Sequence, residues 1–173
     1  MGMRTSRISP EKRFWSWWTS IPGAGWRWTD CGLWFQSVEG ALGMDAAMAH
    51  DEAVWQRYTQ IEARRIRDFL KLGPRSGLEG LRRALETRMY ANLNRQSFEI
   101  EGNVMTFSVL ERRVQAARSR KGMPLHPCRR VGLVEYAGFA RAIDDRIRTE
   151  CMSCYPDVTD GSVACRWRFI LED

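Results

Sequence analysis

The sequence is poor in lysine and histidine and has no long apolar run. Lysine accounts for 3 of its 27 basic residues, and histidine occurs twice. No stretch approaches the roughly 18 apolar residues that a membrane span needs, and no apolar segment follows the N-terminal arginines as it would in a secretory signal. These absences predict a cytoplasmic protein without a membrane span, in which thiols stay reduced.

The charge is nevertheless strongly basic, with a formal net charge of +6 and a pI of about 9.4. Arginine, which dominates, has a planar fork that binds carboxylates and phosphates. A basic run could therefore bind nucleic acid, although a solvated helix face explains the same residues. The run consists of Arg112, Arg113, Arg118, Arg120, Lys121, Arg129 and Arg130.

Four of the five cysteines fall near the C-terminus, at Cys128, Cys151, Cys154 and Cys165. A Cys-x-x-Cys pair lets two thiolates converge on one ion, and zinc prefers four such ligands. One pair with two single cysteines is less specific than a zinc ribbon with two pairs. We therefore predict a metal site formed by these four cysteines, holding zinc or alternatively iron, while redox chemistry and core packing remain open. Cys165 is the member most simply explained by packing, because it alternates with arginines on a predicted strand.

The order of periodic segments predicts an α+β fold. Residues 1–28 form a tryptophan-rich extension and residues 29–173 a single domain. Helical periodicity extends from Asp30 to Gly43 and over about 51–72. The predicted buried stripe of the second helix consists of Val54, Tyr58, Ile61, Arg65, Ile66 and Phe69. Ser76 and Glu79 have the spacing of a capping box.

Two hairpins are predicted to build one antiparallel sheet against which the helices pack. The first turns at Gly102-Asn103. A basic helix over about 113–121, another over about 133–143, and strands near 147–151 and 162–171 follow.

Several other side chains are candidates for chemistry. His126 could activate a cysteine only if the two side chains meet in space, and a spacing of two residues across Pro127 does not ensure this. Glu39, Glu62 and Glu135 are weak catalytic candidates, because a buried carboxylate can transfer protons.

One ordered set of segments is distinctive as a group. It consists of residues 31–39 and 113–124, Pro127-Cys128, residues 132–136, Phe139-Ala140, Ile143-Asp144, Arg146-Ile147, Cys151, Cys154, Cys165, Trp167 and Phe169. Together these segments resemble a bacterial and archaeal family of cytosolic proteins catalogued as a domain of unknown function. Two positions depart from the family pattern: Cys31 stands where aspartate is usual, and Arg112 where cysteine is frequent. The C-terminal layout is more distantly similar to aminothiazoline-carboxylate hydrolases and to vinyl-reductase-type small-molecule-binding domains.

Together these features predict a small-molecule-binding domain with a cysteine-ligated metal. The alternative is a hydrolase that opens a C–N bond in a small heterocycle, with a cysteine or a metal-bound water as nucleophile. Nucleic-acid binding is a third, weaker hypothesis, and the sequence is compatible with a homo-oligomer. The expected ligand-binding residues are Trp34, Phe35, Glu39, Gln115, Arg118 and Tyr136.

Overall fold

The computed structural model describes residues 24–173, and the side chains of residues 32–91 and 93–173. Most of the tryptophan-rich extension predicted over residues 1–28 lies outside the described residues. The chain divides into two compact units, of which the first ends at Ala47 and the second comprises Met48–Asp173.

Helices dominate the first part of the described chain, and strands and helices alternate in the rest. Gly43, with φ of +85°, separates the first two helices. The helices are α1 (Ala24–Leu42), α2 (Met44–Leu70), α3 (Gly77–Thr87), a 3-10 turn (Met89–Asn92), α4 (Arg113–Arg120) and α5 (Cys128–Ile143); the strands are β1 (Arg95–Glu101), β2 (Val104–Glu111), β3 (Ile147–Cys154) and β4 (Cys165–Leu171).

The four strands form one antiparallel sheet in the order β1-β2-β4-β3. This confirms the α+β fold. The turn at Gly102-Asn103 also lies at the predicted position. Gly102 has φ of +58°, a backbone conformation that glycine adopts without steric cost.

One face of the sheet forms the core of the second unit. Alternation along β4 buries every second residue, as the sequence predicts, and α3 and α5 pack against the sheet. The largest fully buried side chains of the sheet are Phe107, Trp167, Phe169, Met105, Ile147 and Val109.

The buried stripe of α2 agrees with its prediction at Ile66, which is buried, but differs at three other positions. Val54, Ile61 and Phe69 are exposed by 60%, 38% and 44%. The buried positions lie about one residue further along the helix and include two polar side chains, Thr59 and Glu62. The spacing of apolar residues alone predicted the wrong buried face of α2. Thr59 and Glu62 can be buried because each hydrogen-bonds to a residue far away in sequence.

Helix α3 starts at the predicted place but without the predicted capping box. The Ser76 hydroxyl donates to the Gly73 carbonyl at 2.6 Å, and Glu79 pairs with Arg82 instead. The Asp144 carboxylate accepts the Gly77 backbone N–H at 2.9 Å. A carboxylate from the far end of α5 therefore caps this helix.

Among residues 24–173, no helix combines the length and apolarity required to cross a membrane.

Candidate thiol–imidazole site

Cys128 and His126 meet at the start of α5. The Nδ1 atom of His126 lies 3.3 Å from the Cys128 Sγ, and its Nε2 lies 3.5 Å from Oδ2 of Asp51 on α2. The imidazole therefore contacts a thiol on one side and a carboxylate on the other. A nucleophile, a base and a third group that orients the base are the parts of an activated cysteine.

Gln115 of α4 fixes the loop that carries this pair. Its side-chain oxygen accepts the His126 backbone N–H at 3.0 Å, and its Nε2 donates to the His126 carbonyl at 2.8 Å. The same Nε2 lies 3.4 Å from the Cys128 Sγ. Gln115 thus holds the loop in place and also presents an amide donor to the thiol.

Arg112, at the junction of β2 and α4, brings positive charge to the same thiol. Its Nη2 lies 3.4 Å from the Tyr136 hydroxyl. Its Nε is buried and has no hydrogen-bond partner among the described residues. Arg112 is the member of the basic run that faces Cys128, and its buried Nε is available to a developing negative charge.

The electrostatics favour the ionised pair. Burial raises the pKa of the Cys128 thiol, but the Arg112 charge and the His126 hydrogen bond outweigh it and leave this pKa below its usual value. Burial disfavours the imidazolium, yet contacts with Asp51 and Cys128 raise the pKa of His126 to about 9. The first turn of α5 adds a dipole that stabilises a thiolate.

Two of the predicted catalytic carboxylates meet in a buried ion cluster instead. Arg88 donates from Nε to Glu62 Oε2 at 2.9 Å and from Nη1 to Glu135 Oε1 at 2.7 Å. Its guanidinium carbon also lies 4.6 Å from the centroid of the Phe139 ring. Glu62 and Glu135 are therefore engaged with an internal cation, which gives them a structural role.

The other three cysteines whose side chains the structure describes, Cys151, Cys154 and Cys165, lie together on the sheet. Cys154 pairs with Cys165 across the strands, and Cys151 pairs with Trp167. The hydrogen bond with Cys154 lowers the pKa of Cys165 to about 6, while the contacts with Cys151 and Cys165 raise the pKa of Cys154.

No His, Cys, Asp and Glu side chains in residues 32–91 and 93–173 form a group of three or more that could hold a metal ion. The predicted four-cysteine zinc or iron site thus has no support from the described side chains and remains a prediction.

The predicted ligand-binding residues divide between several places. Gln115 and Tyr136 lie at the thiol site, whereas Trp34, with 68% of its surface exposed, belongs to the first unit together with Phe35 and Glu39. Arg118 is buried and its Nε donates to the Pro124 carbonyl.

Other members of the basic run are also engaged within the protein. Arg129 pairs with Asp157 at 3.2 Å and Arg130 with Glu52 at 2.7 Å. Ion pairing of this kind leaves less of the run available to phosphates, so the hypothesis of nucleic-acid binding gains no support from it.

Sequence reasoning missed Asp51 and the direct role of Arg112. Asp51 carries no local signal, since it is one of many acidic residues on a helix and lies far from His126 in sequence. Arg112 carried a signal in its position immediately after an apolar strand, where a charged side chain next to a core points to a buried partner.

These features define an α+β protein in which a buried cysteine and histidine contact a partly exposed aspartate. The chain belongs to the family of unknown function DUF6125, whose model matches residues 21–171. No curated protein and no solved structure matches the chain. The more distant resemblances to aminothiazoline-carboxylate hydrolases and vinyl-reductase-type domains therefore have no support from these comparisons.

Proposed function

We propose that the protein is a cysteine-dependent hydrolase of a small molecule, with Cys128 as the nucleophile. The observation that carries this proposal is the contact of His126 with Cys128 on one side and Asp51 on the other, at 3.3 and 3.5 Å. A structural histidine needs only one such partner, whereas activation of a thiol needs both.

The reaction is the cleavage of a C–N bond at a trigonal carbon. The Cys128 sulfur attacks the carbon, and a proton from His126 passes to the leaving nitrogen as the C–N bond breaks. Water then attacks the thioester, with neutral His126 accepting its proton, and the Cys128 sulfur leaves as the thiolate, which restores the ionised pair. In this proposal the side chains of Gln115 and Arg112 stabilise the oxyanion that forms in each step.

Burial limits the size of the substrate. Cys128 and His126 are 2% and 8% exposed. A site this enclosed favours a small molecule over a peptide segment, and desolvation strengthens the electrostatic contacts inside it. The small-molecule ligand expected from the sequence is thus retained as the substrate class of this proposal.

The first test uses p-nitrophenyl acetate, an activated acyl donor. Wild-type protein is expected to form an acetyl adduct on Cys128 and to turn the ester over, because Arg112 and His126 lower the pKa of the Cys128 thiol. Cys128→Ser is expected to lose both, and His126→Gln to slow turnover by about 10²–10⁴-fold, the usual loss when a general acid–base group is removed. Mass spectrometry of the adduct and nitrophenolate release are the two measurements.

Cys151→Ser is the matched control, because it removes a more accessible thiol outside the site. It is expected to leave the rate unchanged. Turnover that survives in Cys128→Ser, or that disappears in Cys151→Ser, would contradict the assignment of the nucleophile.

A second prediction concerns pH. Alkylation of Cys128 by iodoacetamide is expected to proceed well below the pH at which an ordinary thiol reacts, because Arg112 and His126 lower the pKa of Cys128. In His126→Gln the midpoint moves to higher pH, since one stabilising cation is lost. His50→Gln, which replaces the other histidine, at an exposed position, is the control and leaves the profile in place. The measurement is the alkylated fraction of Cys128 against pH.

The same experiment distinguishes the proposal from the metal hypothesis. A thiolate held by zinc or iron is protected from alkylation until a chelator removes the ion. If Cys128 reacts only after chelation, and metal analysis finds about one ion per chain, then the four-cysteine metal site replaces the hydrolase proposal.

A further inference from the structure

A β-bulge brings the Cys-x-x-Cys pair onto one face of the sheet. In a regular strand, residues three apart face opposite sides. In β3 the register shifts between Cys151 and Ser153, so Met152 is an extra residue. Because of this insertion, Cys151 and Cys154 both face the side on which Cys165 lies.

The register also places two of these thiols directly opposite one another. Cys154 pairs with Cys165 across the β3–β4 ladder. Opposed residues of an antiparallel pair have Cα atoms about 4.5–5.5 Å apart, within the span of about 4.4–6.8 Å that a disulfide requires. Cys154 and Cys165 can therefore be joined without moving the strands.

The three thiols differ in their exposure to solvent. Cys154 and Cys165 are fully buried, whereas Cys151 is partly exposed. The indole N–H of Trp167 donates to the Cys165 Sγ at 3.3 Å, which favours the sulfur as a thiolate. A small oxidant thus meets Cys151 first, and Cys154 lies between it and Cys165.

We propose that Cys151, Cys154 and Cys165 form a thiol relay that reduces a hydroperoxide and stores the oxidation as a Cys154–Cys165 disulfide. The Cys151 thiolate attacks hydrogen peroxide and becomes a sulfenic acid as hydroxide leaves. The Cys154 sulfur then attacks the Cys151 sulfur, water leaves, and a Cys151–Cys154 disulfide forms. The Cys165 thiolate attacks the Cys154 sulfur and releases Cys151 as a thiolate. Two thiols and one peroxide give one disulfide and two waters.

The relay is independent of the proposed hydrolase, because none of its three sulfurs belongs to the Cys128 site. The experiment therefore uses full-length protein carrying Cys31→Ser and Cys128→Ser, so that only the relay thiols remain. After stoichiometric hydrogen peroxide, free thiols are expected to fall by two. Cleavage before Asp157 and Asp160 separates Cys154 from Cys165, so their disulfide links two peptides that dithiothreitol releases.

Variants define the order of the steps. Cys151→Ser is expected to slow disulfide formation by at least about tenfold, because the remaining thiols are buried from the oxidant. Cys165→Ala is expected to stop the relay at a Cys151–Cys154 disulfide within one peptide.

Two results overturn the proposal. One is a peptide map of oxidised protein in which Cys154 and Cys165 stay unlinked. The other is a Cys154–Cys165 disulfide that forms as fast in Cys151→Ser as without that substitution. If a variant does not fold, the peptide map of the Cys31→Ser, Cys128→Ser protein alone decides, since the location of its disulfide is sufficient. Cys154 and Cys165 that merely fill the core would remain free thiols throughout.

Discussion

Arg88→Ala is expected to lower the free energy of unfolding by about 3–5 kcal/mol, the usual cost of removing one partner from a buried ion cluster. Glu62 and Glu135 would be left as two carboxylates 8% and 4% exposed, without the cation that pairs with both. The substitution also removes the guanidinium from the faces of Trp55 and Phe139. Urea denaturation followed by circular dichroism measures the loss.

Arg82→Ala provides a matched control on α3. Arg82 also contacts two carboxylates, Glu79 and Glu86, both at 2.6 Å, but these lie at the surface. Exposed pairs contribute about 0–1 kcal/mol because water screens them. If Arg88→Ala costs no more than Arg82→Ala, the ion cluster does not hold the core together.

Neutralising the two acids gives a further check. In the triple variant that adds Glu62→Gln and Glu135→Gln to Arg88→Ala, none of the three side chains of the cluster carries a charge. Part of the lost stability is therefore expected to return. A triple variant less stable than Arg88→Ala alone would show that the charge left behind is not the source of the loss.

The fold was predictable where the pattern is local. The Gly102-Asn103 turn and the alternation along β4 depend on neighbouring residues, and both are found where the sequence places them. The face of α2 was not predictable in this way. Thr59 is buried because its hydroxyl donates to the Glu135 carbonyl, 76 residues away, and no periodicity contains that information.

The candidate site shows the same limit. The spacing of the cysteines identified Cys151 and Cys154 as candidates. That both lie on the same face of the sheet depends on a bulge, which only the strand register reveals. His126 and Cys128 are close in sequence, yet what makes their contact chemically significant is Asp51 from another helix. The sequence supplied the reactive groups, and tertiary packing decided which of them meet.

Gly132→Ala is the second substitution with a large expected effect, because this glycine of α5 lies against the indole of Trp167. A Cβ at position 132 would approach Cζ2 of Trp167 to 2.6 Å and Cη2 to 2.8 Å, closer than carbon atoms pack. Trp167 is fully buried, its ring centroid lies 4.8 Å from that of Tyr136 in a tilted arrangement, and its indole N–H donates to the Cys165 Sγ. Moving the indole therefore disturbs the core and the thiol relay together, at a cost of about 1–3 kcal/mol for overpacking.

A double-mutant cycle identifies the steric contact as the cause. Trp167→Phe removes both clashing carbons and leaves a cavity, so it is destabilising alone. Combined with Gly132→Ala, it makes room for the methyl group, and the pair is expected to couple favourably by about 0.5–3 kcal/mol. Gly40→Ala, also within a helix, has no heavy atom within 4 Å of the added Cβ and is expected to be neutral or stabilising by up to about 1 kcal/mol. Additive effects of Gly132→Ala and Trp167→Phe would contradict the contact, because two residues that do not touch have no coupling energy to measure.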